Sequence, residues 1–147
     1  IMSLTEDFLN ASEEREIVDA IVKAEQQTSG EIRVHIEDHS DLPVLERAQE
    51  VFNMLNMHKT NARNGVLFYI GVKDRHFAII GDDGIDKVVP YDFWESTKKV
   101  VIDHFKANQY KKGLIEGILK TGNQLRHFFP HEGANDANEL PNEISRS

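Results

Sequence analysis

The sequence predicts an α/β fold: a three-layer α/β/α sandwich around a small mixed sheet, with one parallel crossover and one antiparallel hairpin. Three observations predict it. Residues 31–37 alternate, with Ile32, Val34 and Ile36 on one face and Arg33, His35 and Glu37 on the other, the period of a strand with one buried face. Residues 65–72 (Gly-Val-Leu-Phe-Tyr-Ile-Gly-Val) are apolar throughout, as in a central strand covered on both sides. The connection between these runs is long enough for a parallel crossover, whereas only Lys73-Asp74 separates the second run from a third, so those two strands must be antiparallel neighbours.

Taken in order, Asn10-Ala11-Ser12-Glu13 reads as a helix start, with acidic residues in the first turn where the helix dipole favours them. Ile17, Ala20, Ile21 and Ala24 repeat at helical spacing up to Thr28-Ser29-Gly30. After the first strand, Asp38 to Asp41 makes a turn and Pro43 is placed as a first helical residue. Val44, Leu45, Ala48, Val51, Phe52 and Leu55 form the inner stripe of a second helix, and His58 to Asn64 reads as a loop. The third strand is Arg75 to Gly81, and Asp82 to Pro90 reads as an acid-rich loop. Phe93, Thr97, Val100, Val101, His104 and Phe105 mark a third helix, and Leu114, Ile115, Ile118, Leu119, Gly122 and Leu125 a fourth. The order α-β-α-β-β-α-α is that of a sheet between helices. Residues 1–9 read as an N-terminal extension and 10–130 as the domain. Residues 131–147, with Leu140 and Ile144 as their large aliphatics, read as a flexible acidic tail, mobile or laid loosely on the surface.

A chain of 147 residues buries a core without staples, and with no cysteine it has neither disulfides nor thiolate chemistry. Its 25 acidic and 17 basic side chains leave a formal charge of −8, which disfavours nucleic acid and anionic membrane and suits divalent cations or basic partners. No run approaches the length of a membrane helix, and the N-terminus lacks a basic region followed by an apolar one, with Ile1 set aside because it precedes Met2. The expectation is a cytoplasmic monomer with no membrane insertion.

The chemistry is expected at one edge of the sheet. With a parallel crossover and a hairpin, the start of strand one, the start of strand two and the end of strand three fall on the same rim. Glu31, Asn64, Asp82, Asp83 and Asp86 converge there. Such oxygen ligands suit Ca²⁺ or Mg²⁺. The residues of Gly81-Asp82-Asp83-Gly84-Ile85-Asp86 do not follow the EF-hand pattern, and a plain turn with a cap is the alternative reading. Crowded acids repel, and a cation relieves them. No helix carries a paired-histidine zinc pattern; His104 on an apolar stripe reads as a hydrogen-bonded core residue, and His127 and His131 as exposed. No nucleophile elbow, P-loop or dinucleotide fingerprint is present, and Phe93-Trp94 read as core.

Four blocks in this order carry a resemblance: Thr28-Ser29-Gly30-Glu31-Ile32, Arg63-Asn64-Gly65-Val66-Leu67, Gly81-Asp82-Asp83-Gly84-Ile85, and Phe105 with Tyr110, Gly113 and Leu114. Over residues 10–130 the chain resembles the TPM domain family, and its tail resembles the end of short bacterial members. The family includes a thylakoid-lumen protein described as an acid phosphatase, photosystem II repair factors and an animal receptor modulator. The resemblance implies an α/β sandwich and calcium or a similar ion near Asp82 to Asp86, with Asp82 and Asp86 the foremost ligands, Asp83 less so, and Glu31 and Asn64 at motif positions. Many relatives carry a signal peptide and a membrane anchor, and the lumenal, periplasmic and receptor roles are not carried over. Three functions stay open: a divalent-metal-binding accessory or adaptor domain with an unidentified protein partner, a metal-dependent phosphatase of low activity, and a metal-free interaction domain. In the phosphatase reading Arg63 clamps phosphate, a metal-bound water attacks, and Asp82 or Glu31 takes a proton.

Overall fold

The computed structural model describes residues 8–133 and 136–147. Helix α1 (Ala11–Glu25) starts where the polar residues placed it. The Asn10 side chain accepts from the Glu13 amide at 2.8 Å while the Glu13 carboxylate accepts from the Asn10 amide, a reciprocal cap. Strand β1 is Glu31–Glu37, α2 Val44–Met54, β2 Gly65–Gly71 and β3 His76–Gly81. Then follow α3 (Asp83–Asp86), α4 (Glu95–Lys106), α5 (Tyr110–Leu125) and a two-residue strand β4 (Ser145–Arg146). The sheet order is β3-β2-β1-β4; β1 is parallel to both β2 and β4, and β2 is antiparallel to β3.

Alternation along the strands splits the interior into two apolar layers. Ile32, Val34, Ile36, Val66, Phe68, Ile70 and Ile79 face α1, α4 and α5. Leu67, Tyr69 and Ala78 face Ala48, Val51 and Phe52 of α2 together with Met57 and Leu140. This is the three-layer arrangement expected, and one layer is thinner. A single helix covers the second face, so the β1 side of that face is left to polar side chains and the C-terminal segment.

Several local expectations change. Pro43 caps α2 from outside instead of forming its first turn. The loop after α2 contains a 3-10 turn, Met57–Lys59, whose Met57 is buried. The hairpin link runs over residues 72–75, with Arg75 at φ 54°. The acid-rich loop after β3 winds into α3, because Asp82 caps it through the Asp83 amide at 2.8 Å and Ile85 anchors it in the core. Phe93 and Trp94 lie just before α4, edge to face at 4.8 Å and packed on the core.

The extension and the tail change more. The sequence reads as an extension up to residue 9, yet Leu9 is buried and the Phe8 ring lies 4.5 Å from that of Tyr110. Residues 1–7 lie outside the described residues. At the other end, Leu140 is buried and Ser145–Arg146 pair with His35 and Ile36, so the tail completes the sheet. Polar contacts dock it, which hydropathy does not register.

Candidate functional site

The predicted rim exists. Glu31 pairs with Gly65 and Val66 with Gly81, so the start of β1, the start of β2 and the end of β3 lie at one edge. The side chains gathered there divide into two groups.

The first group is built around Arg63. Its Nε and Nη2 each donate to the Asp82 carboxylate at 2.8 Å, a two-pronged pair that occupies both Asp82 oxygens. Arg63 sits at φ 51°, in the left-handed region, which turns its side chain back over the rim. The Gly84 amide donates to the Arg63 carbonyl at 2.9 Å, and a Cβ at position 84 would lie 2.2 Å from the Ala62 carbonyl oxygen, so only glycine permits this approach. Asp83 is exposed and 3.5 Å from Arg63 Nη2. Asp86 is exposed and has no ion pair among the described residues; burial of its carboxyl and the nearby Asp83 and Asp82 push its pKa up. The turn thus carries three carboxylates against one guanidinium.

The second group lies two strands away, about 10 Å across the sheet at roughly 4.8 Å per strand. Glu31 accepts from the Glu139 amide and from the Leu140 amide at 3.2 Å, pinning the tail. It shares a hydrogen bond with Glu25, whose Oε2 accepts from the Ile32 amide at 2.9 Å. Burial raises both carboxyls, Glu25 to about 8, with Glu31 adding repulsion. Both shifts favour a proton kept on the pair over two adjacent charges. Asn64 lies between the groups: its Nδ2 donates to Ser29 Oγ at 3.3 Å, and its Oδ1 is buried without a partner. Glu31 and Asn64 therefore share the rim with Asp82, Asp83 and Asp86 but not a single pocket. Among the described residues no group of three or more Asp, Glu or His side chains converges closely enough to hold one metal ion. The crowded acids of the sequence reading find counter-charges nearer home: Arg63 for Asp82, and a shared proton for Glu31.

Sequence reasoning missed a third cluster, at the opposite end of β1. Glu37 is 3% exposed and accepts from Arg47 Nε at 2.9 Å, Arg47 Nη2 at 2.7 Å, the Tyr69 hydroxyl and the Ser147 hydroxyl at 2.7 Å. Burial pushes the Glu37 carboxyl up, but the donors from Arg47, Tyr69 and Ser147 outweigh it and bring it down to about 2. His35 is buried beside it, stacked on Tyr69, with Nδ1 2.9 Å from Ser145 Oγ and Nε2 2.7 Å from Ser147 Oγ. Burial lowers the His35 pKa. Because Ser147 donates to Glu37, its oxygen is left to accept from Nε2–H, and Nδ1 is left to accept from Ser145. The signal was present: Arg33, His35 and Glu37 alternate on one face of a strand beside a wholly apolar one, and polar groups there need partners.

His104, expected in the core, is half-buried instead. His104 Nδ1 lies 2.7 Å from the Val100 carbonyl oxygen, and His127 and His131 are exposed. Among the described residues no helix is long and apolar enough to cross a membrane.

The description "TPM domain" matches residues 3–124. The chain is similar to the BA42 protein of the psychrophilic bacterium Bizionia argentinensis, solved by NMR: 49% identity, TM-score 0.92, covering 99% of this chain and 100% of that one. It also shares its fold with the N-terminal domain of a P. gingivalis protein (19% identity, TM-score 0.67, 87% and 83% covered). A further fold match is the N-terminal domain of a Corynebacterium glutamicum protein (10% identity, TM-score 0.63, 95% and 80% covered). No curated protein matches it. The α/β sandwich, the rim formed by the quoted blocks and the match over most of the length lead to one conclusion: the chain belongs to the TPM domain family.

Proposed function

We propose that the chain is an accessory or adaptor domain that works by binding, and that its Asp82–Asp86 turn takes a hard divalent cation, Ca²⁺ or Mg²⁺. The observation that carries this reading is the charge imbalance of the turn, where Asp82, Asp83 and Asp86 share only Arg63 and Asp86 has no ion pair among the described residues. Asp82 holds the turn in shape through Arg63 and caps α3. Asp83 and Asp86 are the exposed oxygen donors that would hold the ion, water completing the shell such cations require. When bound, the cation supplies charge neutralisation and a bridging point for a carboxylate or phosphate of a partner. Glu31 and Asn64 support the β1 side of the rim instead.

The phosphatase reading is weaker. The cationic clamp proposed at the rim, Arg63, is already engaged on both prongs by Asp82, and phosphoryl transfer needs such a clamp free for phosphate. Amide NMR during a Ca²⁺ or Mg²⁺ titration tests the proposal. Saturable shifts confined to residues 82–86, lost in Asp86→Asn and kept in Glu31→Gln, are expected. An unchanged spectrum at about 10 mM, well above the range of weak extracellular calcium modules, rejects the cation site. Hydrolysis of a generic phosphate ester that disappears in a folded Asp83→Asn variant would restore the enzyme.

A further inference from the structure

The outer edge of β1 is divided between two sets of partners. Near its start the Glu25 carboxyl accepts from the Ile32 amide; near its end Ser145–Arg146 pair with His35 and Ile36, and the Ser147 amide donates to the Ile36 carbonyl at 3.3 Å. The ladder is short, and Arg146 and Ser147 are exposed. Specific reading comes from side chains. Ser145 and Ser147, two residues apart and therefore on one face of the strand, meet His35 and Glu37. Two independent features show that this occupant fits incompletely. Arg33, 8% exposed, donates from Nη2 to the Glu143 carbonyl at 3.2 Å and feels the Glu143 carboxylate, but its Nε has no partner among the described residues. The Asn142 Oδ1 is likewise buried without a partner. A buried guanidinium costs stability unless something answers its charge.

We propose that this edge is a strand-accepting groove: it takes in trans an extended peptide segment of the pattern acidic-x-Ser-x-Ser, with residues 143–147 as the resident occupant. Main-chain pairing supplies the hold and alternate side chains the selectivity, as in other strand additions. Hydroxyls at the third and fifth positions satisfy His35 and Glu37, and a carboxylate at the first acts on the Arg33 charge, as that of Glu143 does in the resident segment. The groove lies at the far end of β1 from Asp82, and its case stands if the cation reading falls.

The test uses the full ¹⁵N-labelled chain and an unlabelled peptide of residues 138–147, Asn-Glu-Leu-Pro-Asn-Glu-Ile-Ser-Arg-Ser. A tethered occupant competes at an effective concentration of about millimolar order, so half-displacement is expected at a few millimolar peptide. Displacement is read as residues 145–147 moving to free-peptide shifts while His35 to Glu37 keep paired-strand shifts. In a chain carrying S145A and S147A the midpoint should fall about tenfold, and a peptide with both serines replaced by alanine should need about tenfold more, each lost hydroxyl removing a hydrogen bond. The proposal is overturned if neither chain admits peptide at about 10 mM, a level above that effective concentration. Equal binding of the serine and alanine peptides overturns it too, as does collapse of the β1 signals once the serines are gone. A tail-exchanged dimer in sedimentation equilibrium with no peptide entry would show that the occupant is a second copy of the chain instead.

Discussion

Glu37 concentrates more donors than any other side chain described above, and its removal should be felt at once. Taking away one member of a buried, hydrogen-bonded ion pair leaves the other uncompensated, so Glu37→Ala is expected to cost about 3 kcal/mol in urea denaturation at neutral pH. Tyr69→Phe, which removes one hydroxyl donor, should cost about 1 kcal/mol. The same carboxylate should dominate acid unfolding. Its folded pKa of about 2 lies below the ordinary 4.5, so its stabilisation is present above that ordinary value and lost as pH falls through the folded one. Wild type should lose about 3 kcal/mol across this window, and Glu37→Ala should show a flatter acid limb. The sequence exposed half of this cluster, since Arg33, His35 and Glu37 visibly share a strand face. It hid the rest: Arg47 comes from a helix, and Ser145 and Ser147 from a segment whose composition suggests no structure.

Among the elements, α3 shows how little sequence a defined turn requires. One capping carboxylate, one buried isoleucine and one glycine produce it. Gly84→Ala places a Cβ 2.2 Å from the Ala62 carbonyl oxygen and 2.5 Å from that of Arg63, backbone atoms that cannot swing aside. The turn must lift off β2, taking Asp83 and Asp86 with it. A loss of at least about 2 kcal/mol is expected by thermal melting. The strands were legible almost to the residue, because alternation and unbroken apolarity are direct images of burial. From sequence the turn reads as a loop, because four residues are too few for any period to show. The rim was legible as topology but not as a pocket. Strand order says which ends coincide, whereas the two-strand separation of Glu31 from Asp82, and the pairing of Asp82 with Arg63, are side-chain facts.

At the level of the molecule, two buried carboxyl systems shape the pH dependence in opposite senses. Glu37 stabilises as pH rises towards its ordinary value. Glu25, whose folded pKa of about 8 exceeds the ordinary 4.5, binds a proton in the fold that the unfolded chain has released. Stability therefore falls between those two values, with a slope of up to about 1.4 kcal/mol per pH unit. Glu25→Gln supplies a permanent donor to Glu31 in place of the shared proton. Thermal melts across a pH series should show this variant close to wild type at about pH 5 and more stable at about pH 9. An alkaline limb unchanged by the substitution would show that the Glu25–Glu31 proton is not the cause.

The pairing of Ser145 with His35 spans 110 residues of chain. Closing so long a loop is slow, because its entropy is lost before the contact returns anything. During synthesis on a ribosome, β1, α2 and the hairpin emerge well before their last neighbour does. For that interval the nascent sheet shows a bare margin of amides and carbonyls, the kind of border through which chains stick to one another. The polar and charged character of that border, set by Arg33 and His35 and, next to them, Glu37, makes it a poor template for apolar strands while it stands uncovered.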